Sequence, residues 1–302
     1  MSKYVLGTRG HDYGKGKVKD VFSRIQEDGW SCTQLAFKKL VEGVKSYEDV
    51  TPELVKEVEA AMKTVPMDVA VLGTYVELGA VDDSKRQSAV ADFISQIPVC
   101  KALNIPCMGI ETTSLSSQPA GTTHGDARKA LLKSLEAIMP VAEEHGVIVA
   151  LEPVFAHTMN SVEVTREILD SMKSPNLKII FDMANLMGPE WVEKQDVLYG
   201  RAMESWGDQI MAVHFKGVCY DENGRRSCLL EDSIVDYAAA FDAMKGLPQS
   251  VLPVLREEAV PTHSSSTVWV IIAWTPPLVK QQVTFVFHPR ILCAKRPLHY
   301  MI

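Results

Sequence analysis

The chain reads GVIVALEPV from Gly146 to Val154, HTMNSVEVTREILDSMKSPN from His157 to Asn176, and LKIIFDMANLM from Leu177 to Met187. The first and last runs are rich in Val, Ile and Leu and read as buried strands. The middle run reads as one helix, with Asn160 as N-cap and Glu163 three residues later as its capping-box partner. Strand, helix and strand in that order form the crossover that parallel strands require. Each strand carries an acid where its apolar run stops, Glu152 on the first and Asp182 on the second. Parallel neighbours place equivalent ends side by side, so the two carboxylates should point into one space. Carboxylates at the mouth of an apolar core are costly without a positive partner. A divalent metal is the simplest such partner.

The same alternation extends in both directions. Tyr4–Gly7, Cys32–Phe37, Asp68–Tyr75 and Pro106–Thr112 read as four earlier strands. Helical patterns follow at Asp20–Asp28, from Thr51-Pro52 onward, at Ser84–Leu103 and at Asp126–Glu144, where Gly146 is the stop. Beyond the central unit come a polar helix at Glu190–Trp206 and a strand at Ile210–Phe215. A loop follows from Lys216 to Cys228 with a turn at Asp221–Gly224, then a helix at Asp232–Met244 and a strand at Val251–Leu255. Eight strand–helix repeats describe an α/β chain folded as a (β/α)₈ TIM barrel. The alternative, a doubly wound sheet, needs a Gly-rich phosphate turn after the first strand, and Gly7-Thr8-Arg9-Gly10 lacks the G-x-G-x-x-G spacing.

At 302 residues, 46% hydrophobic and 23% charged, the composition is that of a globular protein. A net charge of −7 argues against nucleic acid or an anionic membrane as a partner held by bulk electrostatics. The 6 cysteines are scattered without C-x-x-C spacing and read as reduced thiols. No apolar leader or membrane-length run is present, so a cytoplasmic location is expected. Residues 1–258 are expected to form the barrel and 259–302 an atypical tail. All 38 acidic residues fall at or before Glu258, and the tail offers no amphipathic helix to replace the expected last one. Two readings of it stay open: non-native sequence read out of frame, or a native extension.

The strand ends carry the chemistry. Strands five to eight end in Glu152, Asp182, His214 and Glu257-Glu258, each about one strand–helix unit from the next. Four consecutive strands thus deliver carboxylate, carboxylate, imidazole and carboxylate to one arc of the C-terminal rim, where active sites of this fold lie. Such donors suit one divalent ion, Mn²⁺, Mg²⁺, Co²⁺ or Zn²⁺. A single acid at a strand–helix junction is more often a cap; four in phase point to a metal. Glu257 shares the face of Leu255, so alternation favours it over Glu258 as the ligand.

Around these, His11, Glu111, His157, Asn185, Lys216 and Arg226 are candidate substrate contacts. For each a plain structural role competes, and Arg226 with its neighbour Arg225 fits a solvated turn as well as an anion site. Tyr75 could line the pocket.

L-E-P at 151–153, F-D-M-A-N-L at 181–186, V-H-F-K-G at 213–217 and L-R-E-E at 255–258 resemble the xylose-isomerase-like barrel superfamily. G-T-R-G-H-D at 7–12 and G-I-E-T-T at 109–113 look like its bacterial branch of sugar phosphate isomerases and epimerases. The resemblance spans about Tyr4 to Pro261. It implies that Glu152, Asp182, His214 and Glu257 bind one metal and that Glu152 and Glu257 flank the reacting carbon. Relatives often carry His where this chain has Asn185, which leaves that residue a hydrogen bond to a sugar hydroxyl.

The expected activity is a metal-dependent sugar or sugar-phosphate isomerase or epimerase of carbohydrate metabolism. It would move a proton alpha to a carbonyl through an enediolate. A polyol-ketone dehydratase would use the same site. An abasic-site endonuclease-like phosphodiesterase needs more histidines and a basic face, and an inactive product of a disrupted chain is a further alternative. The expected partner is a small-molecule sugar, with homo-oligomerisation left open.

Overall fold

The computed structural model describes residues 4–222, 224–249 and 252–257. The strands are β1 (Tyr4–Arg9), β2 (Cys32–Leu35), β3 (Asp68–Gly73), β4 (Cys107–Glu111), β5 (Ile148–Glu152), β6 (Leu177–Asp182), β7 (Ile210–Phe215), β8 (Gly217–Asp221), β9 (Gly224–Cys228) and β10 (Leu252–Arg256). The helices are α1 (Val18–Glu27), α2 (Phe37–Leu40), α3 (Pro52–Thr64), α4 (Asp83–Ala102), α5 (His124–His145), α6 (Val162–Met172), α7 (Met183–Leu186), α8 (Gln195–Trp206) and α9 (Tyr237–Met244). Eight strands close into a parallel barrel in the order β1-β10-β7-β6-β5-β4-β3-β2. The fold is therefore the expected (β/α)₈ barrel, and β8 and β9 form a separate antiparallel hairpin.

The barrel holds because its inward positions are apolar and sized to fit. Cys32, Val71, Cys107, Ala150, Ile180, Ala212 and Leu255 form one buried cluster drawn from seven of the eight strands. Gly109 is needed for space: a Cβ there would come within 2.6 Å of Ile180 Cδ1. The outer helices bury one face each. In α1, Val18, Val21, Phe22 and Ile25 recur at helical spacing and are buried. Helix α5 starts with a capping box of Thr123 and Asp126 and stops at Gly146, whose φ of 68° is the left-handed cap a glycine adopts without penalty.

Several sequence expectations shift. The N-cap of α6 is Ser161, not Asn160: Ser161 is extended and accepts from the Val164 amide at 3.2 Å. Glu163 closes no capping box and instead pairs with Arg201 on α8. The polar helix after β6 begins as a 3-10 turn at Pro189–Lys194 and becomes α-helical only at Gln195. The stretch from Lys216 to Cys228 is the β8–β9 hairpin rather than a loop, turning at the expected residues. Helix α9 starts at Tyr237, where the Asp236 side chain caps it, not at Asp232. The expected tail at 259–302, and Glu258, lie outside the described residues.

Register fixes which side chains meet. Glu111 pairs with Glu152 across β4 and β5. Asp182 pairs with His214 across β6 and β7, after an irregularity between Ile179 and Ile180. Leu255 pairs with His214 across β10 and β7, and the Glu257 amide donates to the Phe215 carbonyl at 3.0 Å. The ring closes where Thr8 pairs with Arg256.

Candidate active site

Glu152, Asp182, His214 and Glu257 stand at the C-terminal ends of β5, β6, β7 and β10, and all are buried. They are polar residues at the end of apolar runs, so strand hydrophobicity carries them to the rim and holds them there. His214 Nδ1 lies 3.0 Å from Glu152 Oε2 and 3.1 Å from Glu257 Oε1. Neither oxygen lies in the direction an N–H at Nδ1 would take, and both ring nitrogens are buried without a hydrogen bond. Glu152, His214 and Glu257 each offer a ligand atom within 4.8 Å of the others. Two carboxylates and an imidazole, converging with orphaned nitrogens, fit a divalent cation by geometry and by donor chemistry.

Asp182 sits beside this trio but is otherwise engaged. Its Oδ1 accepts from the Asn185 amide at 2.7 Å, and its Oδ2 is 3.0 Å from Lys216 Nζ. Lys216 Nζ also lies 2.9 Å from Glu257 Oε2. Arg9, at the end of β1, reaches the same oxygen at 3.1 Å and holds Asp12 at 2.8 Å. Arg9 is a site residue that strand-by-strand reading missed. Ring closure brings it there, by setting the end of β1 against the end of β10.

The electrostatics follow from burial and these pairings. Burial alone would push the His214 imidazole down, but Glu152 and Glu257 outweigh it and raise it to about 10. Burial disfavours the Lys216 ammonium too, yet Asp182, Glu257 and Glu152 hold it well above its ordinary range. For Glu257 burial opposes ionisation, and Lys216, His214 and Arg9 together keep its carboxyl well below the usual range. Asp182 is pushed up by burial, with Lys216 acting the other way.

The remaining candidates fall into two groups. Asn185 is buried, and its Nδ2 donates to Glu152 Oε1 at 2.6 Å, so its amide orients a candidate catalytic carboxylate. Glu111 lies next to Glu152 in register, and its carboxyl is pushed up by burial. His157 Nδ1 is 4.0 Å from Glu111 Oε2, and burial pushes its imidazole down. His11 packs edge-on against Tyr75 at 5.7 Å, and burial with Arg9 and Lys39 lowers it to about 3. Tyr75 takes a hydrogen bond from Gln34 at 2.8 Å, and Lys39 Nζ lies 3.2 Å from its ring centroid. Arg226, by contrast, is not brought to the cluster: it is 57% exposed and pairs with Asp221 on the hairpin. Strand alternation turns its neighbour Arg225 the other way, onto the Ala184 carbonyl at 2.8 Å and over the Phe155 ring.

No curated protein matches the chain in sequence. Solved structures share the fold at low identity. The 3-keto-D-glucoside 4-epimerase YcjR of E. coli aligns with TM-score 0.64 at 16% identity, covering 85% of this chain and 92% of that one. D-psicose 3-epimerase of Clostridium cellulolyticum H10, solved with D-tagatose, aligns with TM-score 0.63 at 15% identity, covering 83% and 84%. The IOLI protein, solved with a bound zinc atom, aligns with TM-score 0.61 at 16% identity, covering 84% and 88%. The sequence pattern described as xylose isomerase-like TIM barrel matches residues 11–252. That match runs through most of the closed ring and takes in Glu152, Asp182 and His214, and the chain belongs to the xylose isomerase-like TIM barrel family.

Proposed function

We propose that the protein is a divalent-metal-dependent isomerase or epimerase acting on a small sugar or sugar phosphate, by proton transfer at a carbon next to a carbonyl. One observation carries the reading: Glu152 and Glu257, buried and three strands apart around the ring, each bring an oxygen to His214 Nδ1. Two carboxylates so placed can address a substrate carbon from two sides. One removes the proton; the other returns it from the opposite face, which inverts the centre. Return to the adjacent carbon instead interconverts aldose and ketose.

Glu152, Asp182, His214 and Glu257 would hold the metal, which when bound polarises the carbonyl and stabilises charge developing on the substrate oxygens. The chain's own residues set up the rest. Asn185 orients Glu152, while Arg9 and Lys216 hold Glu257 as the anion. The names of the structural neighbours, which include two sugar epimerases, support the same substrate class.

The test is solvent-deuterium exchange into a panel of ketoses and their phosphates, with Mn²⁺ supplied. The reading expects deuterium at the α-carbon, lost in both Glu152→Gln and Glu257→Gln. No exchange with any substrate, or full exchange in both variants, would end it.

A polyol-ketone dehydratase is the second reading, and Glu111 favours it. A carboxyl beside Glu152 whose hold on its proton is strengthened by burial is the kind of group that donates a proton to a departing hydroxide. A product lacking one water, seen by mass spectrometry, would select it. The phosphodiesterase alternative has less support, since the net charge of −7 does not favour a nucleic-acid backbone.

A further inference from the structure

We propose that Lys216 is a built-in counter-cation of the metal site: its ammonium holds two of the carboxylates a divalent ion needs, and the ion binds by displacing it. The inference rests on the metal-site reading above and concerns how this chain fills that site with its own residues.

Lys216 directly follows β7, two positions beyond His214, so strand alternation sends both side chains to the same side of the sheet. Its ammonium stands 3.0 Å from Asp182 Oδ2 and 2.9 Å from Glu257 Oε2. The side-chain exposures are 14% for Lys216, 0% for Asp182 and 3% for Glu257, so water screens these contacts little. The other oxygen of Asp182 is taken by the Asn185 amide at 2.7 Å. Among the described residues, Glu152, His214 and Glu257 each bring a ligand atom within 4.8 Å of the others, and Asp182 is not in that group. The fourth ligand expected from the sequence is at the rim, but a lysine occupies it.

Two physical consequences follow. Three buried carboxylates crowded at one rim repel one another, and a cation among them keeps the rim assembled when no metal is bound. Lysine suits this task better than arginine, because its compact charge sits on a flexible four-carbon stem that can withdraw without moving the strand. The same contacts oppose the metal, since an ion that displaces Lys216 must break its charge-assisted hydrogen bond to Glu257 and its ion pair with Asp182. Lys216 therefore weakens metal affinity while protecting the metal-free fold. Arg9 is placed differently: it meets Glu257 at 3.1 Å and is also engaged with Asp12 at 2.8 Å, whereas Lys216 bridges two of the candidate ligands.

Calorimetric titration of chelator-treated protein with Mn²⁺ tests this in the wild type, Lys216→Met and Lys216→Arg. Lys216→Met should bind Mn²⁺ at least about tenfold more tightly, matching one lost charge-assisted hydrogen bond. Lys216→Arg keeps the charge and should not tighten. Should metal-free Lys216→Met unfold, Lys216→Gln, which keeps a neutral donor for both carboxylates, is held to the same expectation. Equal or weaker binding by the neutral variant, with measurable binding by the wild type, overturns the role of Lys216 and leaves the metal site standing. No binding by either the wild type or the neutral variant overturns the metal site, and this inference with it.

Discussion

His214 shows how single residues set the behaviour of the rim. Its ordinary value is near 6.5, and Glu152 and Glu257 raise it in the folded protein to about 10. A raised value means the folded state holds the proton more tightly. That stabilisation is fully present below about pH 6.5 and is lost as pH rises through about 10. In metal-free protein the urea midpoint should fall across this window, and His214→Asn should flatten the fall. Glu257 works in the opposite sense: its depressed value gives stability above the ordinary carboxylate range that is lost in acid. Asn185 yields a second prediction. Removing its bond to Glu152 with Asn185→Ala should slow α-carbon deuterium exchange about 10–100-fold, the usual cost of losing a group that orients a ligand. Glu152→Gln should cost more, about 10²–10⁴-fold, because it removes the proposed base itself.

At the scale of elements, the β8–β9 hairpin is the feature that most separates structure from expectation. Its two arginines are adjacent in sequence and opposite in consequence. Arg225 is half-buried, donates to the Ala184 carbonyl on α7 and stacks over Phe155, so it pins the hairpin beside the site. Arg226 is exposed and meets Asp221 within the hairpin. Arg225→Ala should therefore destabilise the protein by about 1–2 kcal/mol, the sum of a hydrogen bond and a cation–π contact. Arg226→Ala should cost about 0–1 kcal/mol, as exposed ion pairs do. Paired urea melts check the contrast. The turn Asp221–Gly224 was legible because Gly224 supplies the positive φ, 100°, that the turn needs. The strands flanking it were not, since Gly217–Asp221 and Gly224–Cys228 lack a repeating apolar face and gain order from each other and from Arg225.

For the whole molecule, closing the ring and binding an ion are separate requirements. The barrel interior is packed by short side chains, so Gly109→Val should overpack it against Ile180 and Val71 and cost about 1–3 kcal/mol in a denaturant melt. Binding of Mn²⁺ should raise the melting temperature, with a gain of about 2.7 kcal/mol at a hundredfold excess over Kd. The double variant Glu152→Gln, His214→Asn should lose that response. A wild type with no response would point instead to a site that has ceased to bind metal. Among the described residues no helix is long and apolar enough to cross a membrane.

The sequence by itself determined the alternation of strand and helix, the number of strands in the ring, and the four rim residues Glu152, Asp182, His214 and Glu257. These are local signals: apolar runs with fixed periods, each broken by a polar residue at the same phase. Helix starts were less secure, as Ser161 and Asp236 show, because several nearby side chains could serve as caps and only the path of the backbone selects one. What the tertiary structure alone decided is who pairs with whom across the ring. Arg9 reaches Glu257 because β1 closes on β10, and Asp182 goes to Lys216 rather than to the Glu152, His214 and Glu257 group. Both depend on contacts between residues far apart in the chain, where a few tenths of an ångström in a buried, weakly screened space decide which cation a carboxylate takes.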